Sequence, residues 1–234
     1  LADTERLRRP LITPLPHARR TPPASRHAYV DTLLLKNAAL AEAARLRYLE
    51  ITRKHSLHLR RLIGDLFELS KLEAAGVEPA LEWFSLAELL HDVAQEFELE
   101  AREKGIAIGV ETRPDDSMVH ADIGLIQRVL ENLIRNALKH TPRDGSITIS
   151  LSEKPGSVAV AVADTGCGIA ENELEHIFDR FYRSKNTPEA KTDSTGLGLA
   201  IVKRILDLHG SRITVASRPD HGTRFEFDVP ARAA

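Results

Sequence analysis

One cysteine, Cys167, stands among 234 residues, so no disulfide framework can form within a single chain. That scarcity fits a reducing compartment. No apolar run approaches the ~18–20 residues that a membrane-spanning helix needs, so this segment is not expected to enter a membrane itself. No signal peptide is expected either. The first residue is Leu1 rather than Met, which predicts a piece of something longer or a processed form. Charge of one sign is not in excess: 32 Lys and Arg stand against 34 Asp and Glu, a net charge of −2. No Lys/Arg block marks a basic arm, and nothing in the balance asks for nucleic acid. What is present is a hydrophobic fraction of 42%, enough to bury a core in one large domain or two modest ones.

Three zones follow one another. Residues 1–23 carry Pro10, Pro14, Pro16, Pro22 and Pro23. Each proline removes an amide donor and clashes with the preceding turn, at about 3 kcal/mol inside a helix, so no uninterrupted helix is expected there. From Ser25 to Leu72 breakers nearly vanish. Tyr29, Leu33 and Leu34 form one apolar stripe, and a break is expected near Lys36–Ala39. Beyond it, Leu46, Leu49, Leu59, Leu62, Leu66 and Leu69 recur mostly at steps of three and four, the pattern of a seam against other helices. A helical hairpin of this kind buries its stripe against a partner or against the third zone. Gly76 and Pro79 end the long helix.

The third zone alternates. Helices are expected over Ser85–Lys104 (Ser85 as N-cap), Leu125–His140, Glu171–Phe181 and Gly198–His209. Strands are expected over Ile106–Glu111, Ser117–His120, Ser146–Ser152, Ser157–Ala163, Arg212–Ser217 and Thr223–Val229. The fold class that follows is α+β: a helical hairpin, then an α/β sandwich with helices on one face of a mixed sheet.

Four stretches of that zone can carry chemistry. In Glu131–Thr141, Asn132 and Asn136 lie one helical turn apart with Lys139 near them. Two carboxamide oxygens suit a hard cation such as Mg²⁺, and Lys139 supplies a point charge for phosphate. A solvated polar face would look the same. Asp164-Thr165-Gly166-Cys167-Gly168-Ile169 follows an alternating strand. Its glycines allow close backbone approach, and Asp164 can accept from an exocyclic amine; an ordinary strand-to-helix turn is the other reading. In Ile177–Arg183, Phe178 and Phe181 sit three apart and would most simply pack a helix end. A polar segment with Pro188, Ser184–Thr195, follows like a lid. Thr195-Gly196-Leu197-Gly198-Leu199 opens a helix with a glycine pair, presenting free amides to phosphate.

Singly these are weak signals. In this order they resemble the N, G1, F and G2 boxes of the catalytic and ATP-binding domain of sensor histidine kinases, within the ATPase superfamily shared with gyrase and MutL. His209-Gly210-Ser211 and Gly222-Thr223-Arg224-Phe225 are similar to the family's ending. The resemblance implies ATP and Mg²⁺ as ligands, with Asn136 and Asn132 at the metal, Lys139 near the phosphates and Asp164 at the adenine amine. Gly166, Gly168, Phe178, Phe181, Arg183, Thr195, Gly196, Leu197, Gly198 and Leu199 would complete the nucleotide site. The family's lid usually carries another glycine where this chain has Asp193-Ser194.

Residues 17–35 resemble the family's phosphoacceptor segment. His17-Ala18-Arg19-Arg20-Thr21-Pro22 stands where the family has His, a carboxylate, two variable residues, Thr or Asn, and Pro. His17 is then the acceptor, Thr21 the residue that orients water for phosphatase action, and Asn132 a third catalytic position. Ala18 replaces the carboxylate that would hold the second imidazole nitrogen. The implied organisation is a linker remnant (1–16), a dimerisation and phosphotransfer hairpin (17–75) forming a four-helix bundle as a homodimer, a linker (76–83) and the ATP domain (84–234).

The expected function is that of the cytoplasmic portion of a membrane-anchored sensor kinase. It would autophosphorylate a histidine and pass the group to a response regulator receiver domain. The alternative, motivated by Ala18, is an autokinase-impaired nucleotide-binding regulator or a response regulator phosphatase.

Overall fold

The computed structural model describes residues 30–35, 41–112, 118–184 and 194–231. His17, Ala18 and Thr21, the proline-bearing start, the break expected at Lys36–Ala39 and most of the polar segment before Thr195 lie outside these residues. The chain divides into two compact units, Leu1–Leu59 and Arg60–Ala234.

In the first unit residues 30–35 are helical, and a long helix, α1 (Glu42–Glu73), begins. Leu46, Leu49 and Leu59 are exposed there. The remainder of α1 belongs to the second unit, where the expected leucine seam divides in two. Leu69 and Leu72 are buried, while Ile63, Leu66 and Phe67 stay exposed. The helix ends before Gly76, whose φ of 81° is the left-handed turn that stops it.

The rest of the second unit runs β1 (Glu82–Ser85), α2 (Leu86–Lys104), β2 (Ala107–Glu111), β3 (Met118–Ala121), α3 (Ile123–His140), β4 (Ser146–Lys154), β5 (Ser157–Asp164), α4 (Gly198–Leu208), β6 (Ile213–Ser217) and β7 (Thr223–Pro230). Two strands form one small antiparallel pair, β1 with β3; five form a mixed sheet in the order β2-β4-β5-β7-β6. Only the β2–β4 pairing is parallel among these. The hairpin expected from Ser146 to Ala163 pairs Ile147 with Asp164 and Lys154 with Ser157.

Local chemistry explains the helix ends. The Ser85 hydroxyl accepts from the Glu88 amide at 3.3 Å, and Gly105 closes α2 in the left-handed conformation. Asp122 caps α3 by accepting from the Leu125 amide at 3.0 Å. Val158, Val160 and Val162 of β5 and Phe225, Phe227 and Val229 of β7 alternate onto one face and join Leu130, Leu133, Ile134, Ile201 and Ile205 of α3 and α4 in the core. The other face combines buried Ala159 and Ala161 of β5 with charged neighbours: Lys154 reaches Glu226 at 3.2 Å and Asp228 at 2.8 Å.

Two expectations are corrected. Glu171–Phe181 is not a helix: a 3-10 turn covers Glu171–Glu173 and irregular turns follow to Phe181. Its amides bond three residues back rather than four, as in Leu174 to Glu171, His176 to Glu173, Asp179 to His176 and Tyr182 to Asp179. The apolar spacing of Leu174, Ile177 and Phe178 suits either winding. Strand β1 was not expected; its four residues are too few for a period-2 signal and acquire their state by pairing with β3.

Candidate nucleotide site

The polar face of α3 is built by helical spacing. Ile126, Val129, Leu130, Leu133, Ile134, Ala137 and Leu138 are buried, and this leaves Arg128, Asn132, Asn136, Lys139 and His140 half-buried along one stripe. Asn132 is already oriented. Its Nδ2 donates to the Arg128 carbonyl at 2.9 Å. Its Oδ1 turns toward the start of α4, 2.9 Å from where a Cβ on Gly198 would stand. An oxygen presented in this way fits a hard cation.

The Asp164 turn packs against the end of the same helix. The Cys167 amide donates to the His140 carbonyl at 3.2 Å, and a Cβ on Gly166 would lie 2.5 Å from that oxygen. Asp164 Oδ1 accepts from the Gly166 amide at 2.8 Å, and its carboxylate also accepts from the Thr223 backbone. Burial raises the Asp164 pKa, and these two amides oppose the rise. Beside Asp164 opens a cleft of about 450 Å³ that Leu174, Val215, Ser217 and Thr223 help to line.

The turn between β6 and β7 braces the Asp164 turn from behind. The Ser217 hydroxyl accepts from the Ile169 amide at 2.8 Å and donates to the Gly222 carbonyl at 2.7 Å. The Asp220 amide donates to the Cys167 carbonyl at 2.8 Å. The His209 turn links α4 to α3: Asp122 N–H donates to His209 Nε2 at 3.1 Å, and Nδ1–H donates to the Ile205 carbonyl at 2.8 Å.

The aromatic pair separates. Phe178 meets Phe225 edge to face with ring centroids 6.3 Å apart. Phe181 is 52% exposed, and the helix end that the pair was expected to pack does not form. Its backbone adopts φ 61°, and its amide donates to the Gly196 carbonyl at 2.7 Å. The third and fourth stretches are thereby joined at their backbones. Arg183 donates to the Ser194 carbonyl across the same junction. Leu197 is fully buried, and Leu199 packs against the core from the first turn of α4. Lys139 is half-buried on α3.

Several residues at the site carried no separate signal in the sequence. Ser217 and the Thr223 amide act through backbone bonds that no motif records. His140 is the third. Burial pushes its pKa down to about 4, and Lys139 adds in the same direction. Below the ordinary value of 6.5 the unfolded chain then holds a proton that the folded chain refuses, so stability falls as pH falls from 6.5 toward 4. At about 1.4 kcal/mol per pKa unit this single group accounts for up to about 3 kcal/mol. Asp164, with its raised pKa, works in the opposite direction and partly offsets the loss. His140→Gln is expected to flatten the acid limb of urea-unfolding stability between pH 7 and pH 4.5; an unchanged slope would exclude His140 as its source.

Residues 121–233 match the family model described as histidine kinase-, DNA gyrase B- and HSP90-like ATPase. The sensor histidine kinase WalK of Bacillus subtilis (strain 168) is 32% identical over 229 residues, covering 95% of this chain and 36% of that protein. The chain thus spans about a third of that relative's length. Full-length ShkA in complex with AMPPNP aligns with a TM-score of 0.70 at 30% identity, covering 90% of this chain and 45% of that one. The catalytic domain of histidine kinase ThkA aligns at 0.58 and 35% identity, covering 64% of this chain and 95% of that one. ThkA in complex with the response regulator protein TrrA aligns at 0.70 and 27% identity, covering 90% of this chain and 60% of that one. The chain belongs to the sensor histidine kinases and carries their ATP-binding catalytic domain over the matched residues.

Proposed function

We propose that this chain is the kinase core of a sensor that binds Mg-ATP and transfers the γ-phosphoryl group to His17, in its own or a partner protomer. An aspartate on a response regulator receiver domain then takes the group. The observation that carries this reading is the convergence of four stretches far apart in sequence. Gly166 and Cys167 of the Asp164 turn abut the end of α3, Gly198 abuts Asn132 on the same helix, and Gly196 is bonded to Phe181. Asp164 would accept from the adenine amine. The amides from Gly196 to Leu199 and the Lys139 ammonium would face the phosphates. Asn132 and Asn136 would hold Mg²⁺, which supplies charge neutralisation at the phosphate oxygens.

In the transfer, a neutral His17 nitrogen attacks the γ-phosphorus in line. The N–P bond forms as the bond to the β–γ bridging oxygen breaks, ADP leaves, and the imidazole loses its N–H proton. The exposed Leu46 and Leu49 of the first unit, and Ile63, Leu66 and Phe67 of the second, support a second copy as the covering surface. The alignments with a nucleotide-bound kinase and with a kinase–regulator complex support the ligand and the partner. Among the described residues no helix is long and apolar enough to cross a membrane.

Incubation with γ-labelled ATP tests the reading. Acid-labile, base-stable label is expected on the unaltered chain and absent from His17→Gln. An unaltered chain that takes up no such label would exclude autokinase activity and favour the second reading, a nucleotide-binding regulator or phosphatase. Ala18 motivates that reading, because it offers no acceptor to the imidazole. Under it, Ala18→Asp should raise labelling by about 10²–10⁴, the usual contribution of a positioned base.

A further inference from the structure

Asp65 lies on the part of α1 that belongs to the second unit, with its side chain 17% exposed. Its Oδ2 accepts from the Thr195 hydroxyl at 2.7 Å, and its Oδ1 accepts from Arg128 Nη2 at 3.3 Å. A hydroxyl has one proton. With that proton given to Asp65, Thr195 turns its lone pairs inward, and the Leu197 amide donates to its oxygen at 3.3 Å. Leu197 sits in the glycine turn that opens α4, between Gly196 and Gly198. A phosphate oxygen arriving there needs donors. It meets a hydroxyl whose proton is committed and an amide already engaged.

Charge works in the same direction. Arg128 contacts Asp65, Glu68 at 2.8 Å and Glu131 at 3.2 Å. Three carboxylates surround Arg128, and Arg135 approaches one of them, Glu131, at 3.9 Å, so three negative charges face two positive ones and the cluster is net negative. It stands one helical turn from Asn132, whose Nδ2 is bonded to the Arg128 carbonyl. The helix is held in place by further contacts: Arg204 Nε donates to the Leu72 carbonyl at 2.9 Å, Arg180 pairs with Glu73, and Leu69 and Leu72 are buried. These contacts fix the backbone of α1 here, and the bonds to Thr195 and Arg128 orient the carboxylate.

We propose that Asp65 is a latch on the phosphate end of the nucleotide site. While α1 is docked in this way, Asp65 keeps Thr195 and Leu197 in an arrangement that weakens phosphate binding; releasing Asp65 frees both donors. Movement of α1 would thereby change nucleotide affinity without touching the adenine end. The inference rests on the nucleotide reading proposed above and adds its regulation.

The test is calorimetric titration of the whole chain, and of Asp65→Ala and Asp65→Asn, with ATP, ADP and adenosine in the presence of Mg²⁺. Removing one carboxylate within several ångströms of the phosphates is expected to tighten ATP binding about three- to tenfold. ADP should gain less, and adenosine should be unchanged. Asp65→Asn loses the charge but keeps an acceptor for Thr195, so it should gain less than Asp65→Ala. It also keeps the test valid if the alanine variant does not fold. Unchanged or weaker ATP binding by a folded variant would overturn the latch, as would an equal gain for adenosine. An unaltered chain that binds no nucleotide would overturn the nucleotide reading along with it.

Discussion

Gly222→Ala is expected to destabilise the second unit by about 3 kcal/mol or more and to remove nucleotide binding with it. Gly222 has φ 77°, and a Cβ there would stand 1.9 Å from the Asp164 carbonyl oxygen and 3.1 Å from Thr165 Cα. Both obstacles are backbone, so neither can rotate aside. The Asp164 turn has the reciprocal arrangement, since a Cβ on Gly168 would lie 1.9 Å from the Arg218 carbonyl oxygen. The two turns are pressed together, and a methyl group in between must spread them. Spreading them would break the Asp220–Cys167 and Ile169–Ser217 bonds and shift Asp164. Gly156→Ala is the matched control. Its φ is 75°, but nothing lies within 4 Å of its Cβ position, so only the backbone cost of about 1–2 kcal/mol applies. Thermal unfolding of the two variants should differ accordingly. Equal losses would mean that the close approach of the turns does not matter.

Asp164→Ala should weaken ATP binding by about 10- to 100-fold while the fold survives. A hydrogen bond to a charged group contributes about 1.5–3 kcal/mol, and each 1.4 kcal/mol is tenfold in affinity. The Asp164 carboxylate accepts from two backbone amides, Gly166 and Thr223, so its removal also loosens the turn that Gly166 presses against His140. Asp164→Asn keeps one oxygen but introduces an NH₂ group against these donors. It should therefore fall between the wild type and alanine. An Asp164→Ala chain with undiminished ATP affinity would remove this carboxylate from the adenine end.

Much of the fold was legible because local signals and tertiary demands agree. Ser85 marks the start of α2 by capping chemistry, and the alternation of Phe225, Phe227 and Val229 marks a strand whose apolar side faces the core. The region from Glu171 to Phe181 was misread because its apolar spacing suits a helix, while its amides settle three residues back and Phe181 bonds to Gly196. No window around Phe181 contains Gly196, so the decisive partner was out of view. At the site, motif residues were legible as types; their partners were not. Asn132, Asp164 and Gly198 could be named from spacing, but Ser217, the Thr223 amide and Asp65 act through contacts set by the folded chain. The leucine pattern of α1 showed a seam but not its division into buried Leu69 and Leu72 and exposed Leu66 and Phe67. Both sets fit a helical period, and only the docked domain distinguishes them.

In the proposed function, Asp164, the polar face of α3 and the glycine turn before α4 form one adenine-nucleotide site. Calorimetric titration of the unaltered chain with Mg-ATP and Mg-GTP tests it most directly. One ATP per chain is expected, with GTP bound far more weakly, because guanine presents a carbonyl to Asp164 where adenine presents an amine. Equal affinity for the two bases, or no heat from either, would rule out an adenine site at Asp164.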